Sequence, residues 1–221
     1  MLINFKTYLE ATGKRAVDLS RRIEEVAKNT DVRLGVAPQF CDIAQVAGQV
    51  EIPVFAQHID PISPGAFTGH VLAESVKAAG GSGTIINHSE RNLQMKDIEK
   101  SVQFARSVGL STVVCAGTSS LGAAVALTEP DMVAIEPPEL IGSGRAVSNE
   151  RPEIITDSVR KIRAVNPNVK VLCGAGITTG EDVYAALKLG AQGMIVASGV
   201  VKAPKPEDVL MDFCTAVRKY L

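Results

Sequence analysis

The chain has 221 residues, of which 46% are hydrophobic, so one domain with a sizeable core is expected. Its 23 basic and 24 acidic residues leave a formal net charge of −1. This balance, without strong clustering of either sign, argues against a nucleic-acid surface or an anionic-membrane patch.

Short runs rich in Val, Ile and Leu alternate along the chain with longer segments of helical periodicity. This pattern predicts parallel strands joined by crossover helices. The runs are apolar throughout, as expected for strands that are covered on both faces. The predicted strands are residues 2–5, 32–37, 54–58, 84–87, 112–116, 132–136, 169–173 and 193–197.

Several helices carry start and stop signals. Residues 14–28 place apolar side chains on one face and charged side chains on the other, which predicts a surface helix on a core. After the seventh strand, Thr178 and Glu181 are spaced as a capping box, and Gly190 stands where that helix should stop. The last helix is predicted to begin at Pro206, a residue suited to the first helical turn.

Eight βα units in a chain of this length predict an α/β fold, a single-domain (β/α)8 TIM barrel over residues 1–221, because a closed sheet has no exposed edge strand. An open doubly wound sheet is the alternative. Asn4-Phe5-Lys6 occupies the end of the first strand, where a dinucleotide-binding fold would continue into a G-x-G-x-x-G motif, so the sequence disfavours that fold. In a barrel the chemistry lies beyond the carboxyl ends of the strands.

Polar side chains stand at three of these strand ends. Asn4 and Lys6 belong to the first, His88 follows the fourth and Glu136 ends the sixth. Taken singly, a lysine at a strand end is more often a solvated charge, and a lone histidine is more often a structural hydrogen-bonding group. Together at one mouth of a barrel they supply a cation, a proton donor and a base.

The seventh and eighth strands end in small residues instead. Residues 174–176 are Gly-Ala-Gly and residues 197–199 are Ala-Ser-Gly. Small residues let backbone N–H groups approach an anion closely, and barrels often bind phosphate at these two loops. We therefore predict a phosphate site there.

Four segments carry a family resemblance. They are residues 4–6 (Asn-Phe-Lys), 65–69 (Gly-Ala-Phe-Thr-Gly), 87–91 (Asn-His-Ser-Glu-Arg) and 134–142 (Ala-Ile-Glu-Pro-Pro-Glu-Leu-Ile-Gly). In order and spacing they resemble the motifs of triosephosphate isomerases along essentially the whole chain, and the last is similar to that of the short archaeal branch. Four motifs in order are much more specific than one.

The chain departs from the family pattern at a few positions. The family usually has Gly where Asn87 stands, Glu where His70 stands and Thr where Ser143 stands, and little sequence precedes the first strand here. These differences remove no chemical group from the expected site. Asn87 is expected to alter how His88 is presented, and the short N-terminus to weaken the first strand.

The resemblance implies that the protein interconverts D-glyceraldehyde 3-phosphate and dihydroxyacetone phosphate through an enediolate, without a metal or other cofactor. Glu136 then moves the proton between two carbons, while His88 donates to the substrate oxygen. A neutral imidazole whose basicity is lowered by a helix N-terminus is the electrophile already described for this family. Ser89 and Glu90 predict such a helix start.

The resemblance also implies supporting roles. Lys6 supplies positive charge to the phosphate and the enediolate, Asn4 positions substrate oxygens, and Glu90 orients Lys6. Residues 137–144 are interpreted as a lid, stiff at its proline end, whose closure excludes water. The residues expected to bind the substrate around its phosphate are Ile141, Gly142, Gly174, Gly176, Ala197 and Ser198.

Two alternative functions stay open on the residues alone. One is another phosphosugar enzyme on the same barrel, such as an aldolase or an amino-sugar isomerase. A Schiff-base aldolase needs a lysine near the carboxyl end of a strand. In the predicted strands Lys6 is the only lysine near such an end, because Lys170 begins its strand and should face the opposite rim. The other is a catalytically silent barrel that binds a phosphate metabolite. The presence of both Glu136 and His88 argues against it.

Assembly is expected to use two surfaces. In the family, the loop at residues 62–69 inserts into a neighbouring subunit, with Thr68 supporting the facing active site and Phe67 as an anchor. Residues 121–127 are apolar on all sides, which predicts a second contact. We therefore predict a homotetramer, with a dimer as the fallback, and no nucleic-acid or membrane partner.

A cytoplasmic location is expected. Asn4 and Lys6 precede any apolar run long enough for secretion, and no later run approaches the roughly 20 residues that a bilayer requires. The cysteines form no C-x-x-C pair and have no flanking His, so we interpret them as buried thiols and not as a zinc or redox site. They are Cys41, Cys115, Cys173 and Cys214.

Overall fold

A computed structural model describes residues 1–142 and 144–221 and arranges eight parallel strands in a barrel. The strands are β1 (Leu2–Asn4), β2 (Gly35–Ala37), β3 (Phe55–Ala56), β4 (Gly83–Ile86), β5 (Ser111–Ala116), β6 (Met132–Ile135), β7 (Lys170–Cys173) and β8 (Gly193–Val196). Their order is β2-β1-β8-β7-β6-β5-β4-β3. A parallel bridge between Val36 and Val54 joins the two ends. The predicted barrel is confirmed.

Helices cover the outside of this barrel. They are α1 (Lys14–Thr30), α2 (Ile43–Ala47), α3 (Ala73–Ala78), α4 (Met95–Ser107), α5 (Ser119–Ala126), α6 (Val147–Glu150), α7 (Pro152–Val165), α8 (Gly180–Lys188), α9 (Ser198–Val201) and α10 (Pro206–Tyr220), with 3-10 turns at Leu9–Ala11, Phe40–Asp42 and Pro138–Leu140. In the described part of the chain, none of them has the length and apolar character needed to cross a bilayer.

Side chains alternate across each strand and so form two apolar layers. The inner layer fills the barrel and the outer layer packs beneath the helices. Because the alternation continues past the strand ends, Asn4, two residues after Leu2, and Glu136, two residues after Ala134, fall on the inner side at the barrel mouth. The strand pattern itself therefore directs these two polar side chains into the mouth.

The helix after β7 starts one residue later than predicted. Its N-cap is Thr179, which forms a capping box with Asp182, so the predicted pair of Thr178 and Glu181 is wrong. Thr178 stays outside the helix because its N–H and its hydroxyl both donate to the Asp182 carboxylate, at 3.0 and 3.3 Å. Gly190 follows the helix end with φ 98°, in agreement with its predicted stop role.

The cysteines follow the expectation with one exception. Cys115, Cys173 and Cys214 are buried, whereas Cys41 is exposed. Cys41 belongs to the 3-10 turn Phe40–Asp42 on the surface after β2. The expectation of four buried thiols is therefore wrong for Cys41.

Candidate active site

The carboxyl ends of the strands open into a cavity of about 190 Å³. Its lining includes most of the predicted site residues: Asn4, Lys6, His88, Glu136, Ile141, Gly142, Gly176, Ala197 and Ser198. The predicted lid also contributes Gly144, and the two predicted phosphate loops contribute Ala175 and Gly199. The lining residues that were not anticipated are Ile177, Thr178, Ile195 and Val196. Gly174, Glu90 and Thr68 do not line it.

Glu136 directly follows β6 and lines the cavity. The distance from its Oε2 to Nε2 of His88 is 3.7 Å. Burial raises the pKa of the Glu136 carboxyl, while the nearby His88, Cys115 and Lys6 act in the opposite direction. Oε2 has no hydrogen-bond partner among residues 1–142 and 144–221. A buried, weakly bonded carboxylate of this kind is a stronger base than an exposed one.

Gly174 is required beside Glu136 for steric reasons. A β-carbon at Gly174 would lie 2.4 Å from Cγ and 2.7 Å from Oε1 of Glu136. Both distances are well inside van der Waals contact. The structure thus places this predicted phosphate-loop residue against the carboxylate.

His88 is held by the turn that follows β4. The backbone N–H of Glu90 donates to Nδ1 of His88 at 3.2 Å. Nδ1 is therefore an acceptor, which leaves the ring proton on Nε2, the nitrogen that faces Glu136. The predicted helix start at Ser89 and Glu90 is wrong: the chain forms a turn there, closed by Arg91 N–H to His88 O at 2.7 Å, and α4 begins only at Met95.

Asn87 supports this turn. Its φ of 60° lies in the left-handed region, which Asn adopts more readily than most residues. Its side chain donates to Cys115 O at 2.9 Å and accepts from Leu93 N–H at 2.8 Å. The Asn that replaces the usual Gly thus keeps the required backbone conformation and adds two hydrogen bonds.

Both the side chain and the backbone of Lys6 are held by neighbouring residues. Its Nζ lies 2.8 Å from Oε1 of Glu90. Its backbone has φ 47°, a strained conformation for lysine, and is held by Asn4 Oδ1, which accepts from Lys6 N–H at 3.0 Å, and by Gln57, which donates to Lys6 O at 2.8 Å. Sequence reasoning missed Gln57. Gln57 is a polar residue near the carboxyl end of the third predicted strand, and a polar residue at a strand end is the feature that identified His88.

The opposite wall of the cavity is formed largely by backbone. Gly142, Gly144, Ala175 and Gly176 have φ between 69° and 72°. A β-carbon on Gly176 would lie 1.9 Å from Arg145 O, so the loop after β7 directly contacts the chain that follows the predicted lid. Ser143, named above as a departure from the family pattern, lies outside the described residues.

Several other predicted positions lie away from the cavity. Thr68 is exposed, and the neighbouring Phe67 is 44% exposed with its ring 5.7 Å from that of His70. Lys170 lines a separate cavity at the amino ends of the strands, as predicted. Within the described residues, no three His, Cys, Asp or Glu side chains are grouped so that they could hold a metal ion.

Known proteins resemble this chain over nearly its whole length. Residues 1–217 match the family model described as "Triosephosphate isomerase". Proteins named triosephosphate isomerase from Methanosarcina mazei and Methanobacterium bryantii are each 49% identical over 217 residues, covering 98% of this chain and 98% and 96% of theirs. The protein of that name from Methanocaldococcus jannaschii is 48% identical over 212 residues, covering 96% of this chain and 97% of its own. The chain belongs to the triosephosphate isomerase family.

Proposed function

We propose that this chain interconverts D-glyceraldehyde 3-phosphate and dihydroxyacetone phosphate by proton transfer through an enediolate. The observation that carries the proposal is the 3.7 Å approach of Glu136 Oε2 to His88 Nε2 in a cavity of this family's barrel. Glu136 removes a proton from the carbon next to the carbonyl. It then returns a proton to the neighbouring carbon, so no redox partner is required.

Stabilisation of the enediolate falls to His88 and Lys6. Nε2–H of His88 donates to the substrate oxygens as negative charge develops on them. The Lys6 ammonium adds a positive charge to the same wall and attracts the substrate phosphate, while Asn4 positions the oxygens. The contact of Lys6 with Glu90 supports a role for Glu90 as the group that orients the lysine.

The phosphate is proposed to bind the backbone wall. Gly142, Gly176, Ala197 and Ser198 line that wall, and Ile141 contributes an apolar side chain. Left-handed backbone next to small residues turns N–H groups toward an anion. Residues 137–144 act as the lid over this phosphate and exclude water when closed.

We also propose a cytoplasmic homotetramer that serves glycolysis and gluconeogenesis. Leu121 on α5 is 36% exposed and Leu127, which caps the end of α5, is 70% exposed, while Phe67 is 44% exposed on the loop at residues 62–69. Two apolar surfaces on one chain support more than a dimer. The charge of triose phosphates keeps them within the cell, which supports the location.

The isomerase proposal is tested with the purified protein and glyceraldehyde 3-phosphate in deuterated water, followed by NMR. Formation of dihydroxyacetone phosphate with deuterium at the reacting carbon is expected, because a proton on Glu136 exchanges with solvent. The Glu136→Gln variant is the matched control for background isomerisation. Wild-type protein that gives no product above this control contradicts the proposal.

A further inference from the structure

Asp182 stands in the first turn of α8, yet its carboxylate reaches beyond that helix. Oδ2 accepts from Thr178 N–H at 3.0 Å, Thr178 hydroxyl at 3.3 Å and Thr179 N–H at 2.9 Å. Oδ1 accepts from the side-chain amide of Asn149 at 2.7 Å. The residue is only 6% exposed. Four donors therefore surround one buried carboxylate.

These donors come from two segments that meet at the cavity. Thr178 lines the cavity as part of the loop after β7. Asn149 belongs to α6, in the chain that follows the lid, 33 positions from Asp182 in sequence. The same two segments are joined by Ser148 hydroxyl to Asp182 O at 3.1 Å and by Val147 N–H to Ala175 O at 3.4 Å.

Helix capping alone does not account for this arrangement. The capping box requires only the reciprocal bonds between Thr179 and Asp182. The bond from Asn149 lies outside α8, and it occupies the carboxylate oxygen that the cap leaves free. Burying a carboxylate is costly unless its oxygens are bonded, so each of these donors contributes to keeping Asp182 in place.

We infer that Asp182 is a positioning residue that fixes the loop after β7 to the chain following the lid. Through Thr178 and Asn149 it keeps the backbone wall of the cavity aimed at the substrate phosphate. This inference rests on the proposed function, since it names the group that organises the phosphate side of that site. Asp182 itself does not line the cavity.

Asn149→Ala is the primary test, because it removes the bond between segments and leaves the cap of α8 intact. Asn149 is exposed, so the variant is expected to fold. A hydrogen bond to a charged group is strong enough to change an equilibrium constant about tenfold. We expect the dissociation constant for inorganic phosphate, measured by calorimetry, and the KM for glyceraldehyde 3-phosphate to rise about tenfold together.

A donor–acceptor exchange gives a second test. In Asp182→Asn, one carboxylate oxygen becomes an NH2 group, which is a donor. This NH2 must then face another donor, either the side-chain amide of Asn149 or the backbone N–H groups of Thr178 and Thr179. In the double variant with Asn149→Asp, the amide oxygen at position 182 accepts from Thr178 and Thr179 while its NH2 donates to the new carboxylate. We expect Asp182→Asn to weaken phosphate binding and the double variant to recover most of it.

Asp131→Asn is the matched control. Asp131 likewise accepts from the N–H and hydroxyl of one threonine, Thr112, at 2.8 and 3.0 Å, but near the amino ends of β5 and β6. It should lower the unfolding temperature without changing phosphate binding. If the Asn149 and Asp182 variants also lower the unfolding temperature without changing phosphate binding, the inference is overturned. Because the phosphate titration needs no turnover, an inactive wild-type protein refutes the proposed function separately.

Discussion

The backbone N–H of Glu90 donates to Nδ1 of His88, and the carboxylate of the same residue lies 2.8 Å from the Lys6 ammonium. One residue therefore organises two groups of the cavity. The first contact leaves the ring proton of His88 on Nε2, toward Glu136. The second holds a positive charge at the cavity wall. Glu90 does both without lining the cavity.

Replacing Glu136 with Gln removes the proposed base and keeps the shape of the side chain. We expect turnover to fall by about 10³-fold, because general base catalysis contributes on this order. Phosphate binding should change less than about twofold, since the phosphate wall is untouched. Steady-state kinetics and a phosphate titration measure the two effects. A variant that keeps a tenth of the wild-type turnover contradicts the role of Glu136.

The raised pKa of Glu136 also predicts a pH-dependent stability difference. Burial raises this pKa above 4.5, so the folded state holds the proton more tightly than the unfolded chain. The free energy of unfolding therefore falls as pH rises from 4.5 through the raised value. We expect Glu136→Gln to be more stable than the wild type at pH 8 and similar to it at pH 4. Urea unfolding at both pH values tests this, and equal stability at pH 8 rules it out.

Replacing His88 with Gln leaves a donor near the substrate oxygen but moves it. We expect a loss in turnover of about 10²-fold, smaller than that of Glu136→Gln, because the base remains. Nitrogen NMR of the wild-type ring should show a protonated Nε2 and an unprotonated Nδ1. Full activity of the variant, or a protonated Nδ1 in the wild type, is incompatible with the proposed electrophile.

Treatment with a chelator is expected to leave the rate unchanged. In the proposed mechanism His88 and Lys6 supply the donor and positive charge that a metal ion supplies in other enzymes. Activity is compared before and after dialysis against EDTA, with and without added divalent ions. Loss of activity that a divalent ion restores counts against the mechanism.

Sedimentation equilibrium at micromolar concentration is expected to give a tetramer. Leu127→Glu places a charge on the proposed α5 surface and should yield a smaller species. Met211→Glu on α10 is the control, since Met211 is an exposed apolar side chain (42%) on neither proposed contact, and this variant should stay tetrameric. A Leu127→Glu variant that stays tetrameric refutes the α5 contact. A fully active wild-type monomer contradicts both the tetramer and the dimer.

The barrel and the four polar residues at its mouth could be predicted from the order of residues alone. Eight apolar runs separated by helical segments leave few arrangements, and parallel strands bring all their carboxyl ends to one side. Asn4, Lys6, His88 and Glu136 stand at such ends, so their meeting followed from topology. The strand period of two then directed Asn4 and Glu136 inward.

How those residues are held depends on contacts that form when the chain folds. Gln57 supports Lys6 through a backbone carbonyl that lies 51 residues away in sequence. The helix starts predicted at Thr178 and at Ser89 failed for a related reason: Asp182 takes the hydrogen bonds of Thr178, and Asn87 binds Leu93 across the turn. A capping signal describes what neighbouring residues prefer. It does not say which of the nearby donors and acceptors will pair, and those pairings decide where each helix starts. It also contains nothing about partners that folding brings from distant segments, such as the amide of Asn149.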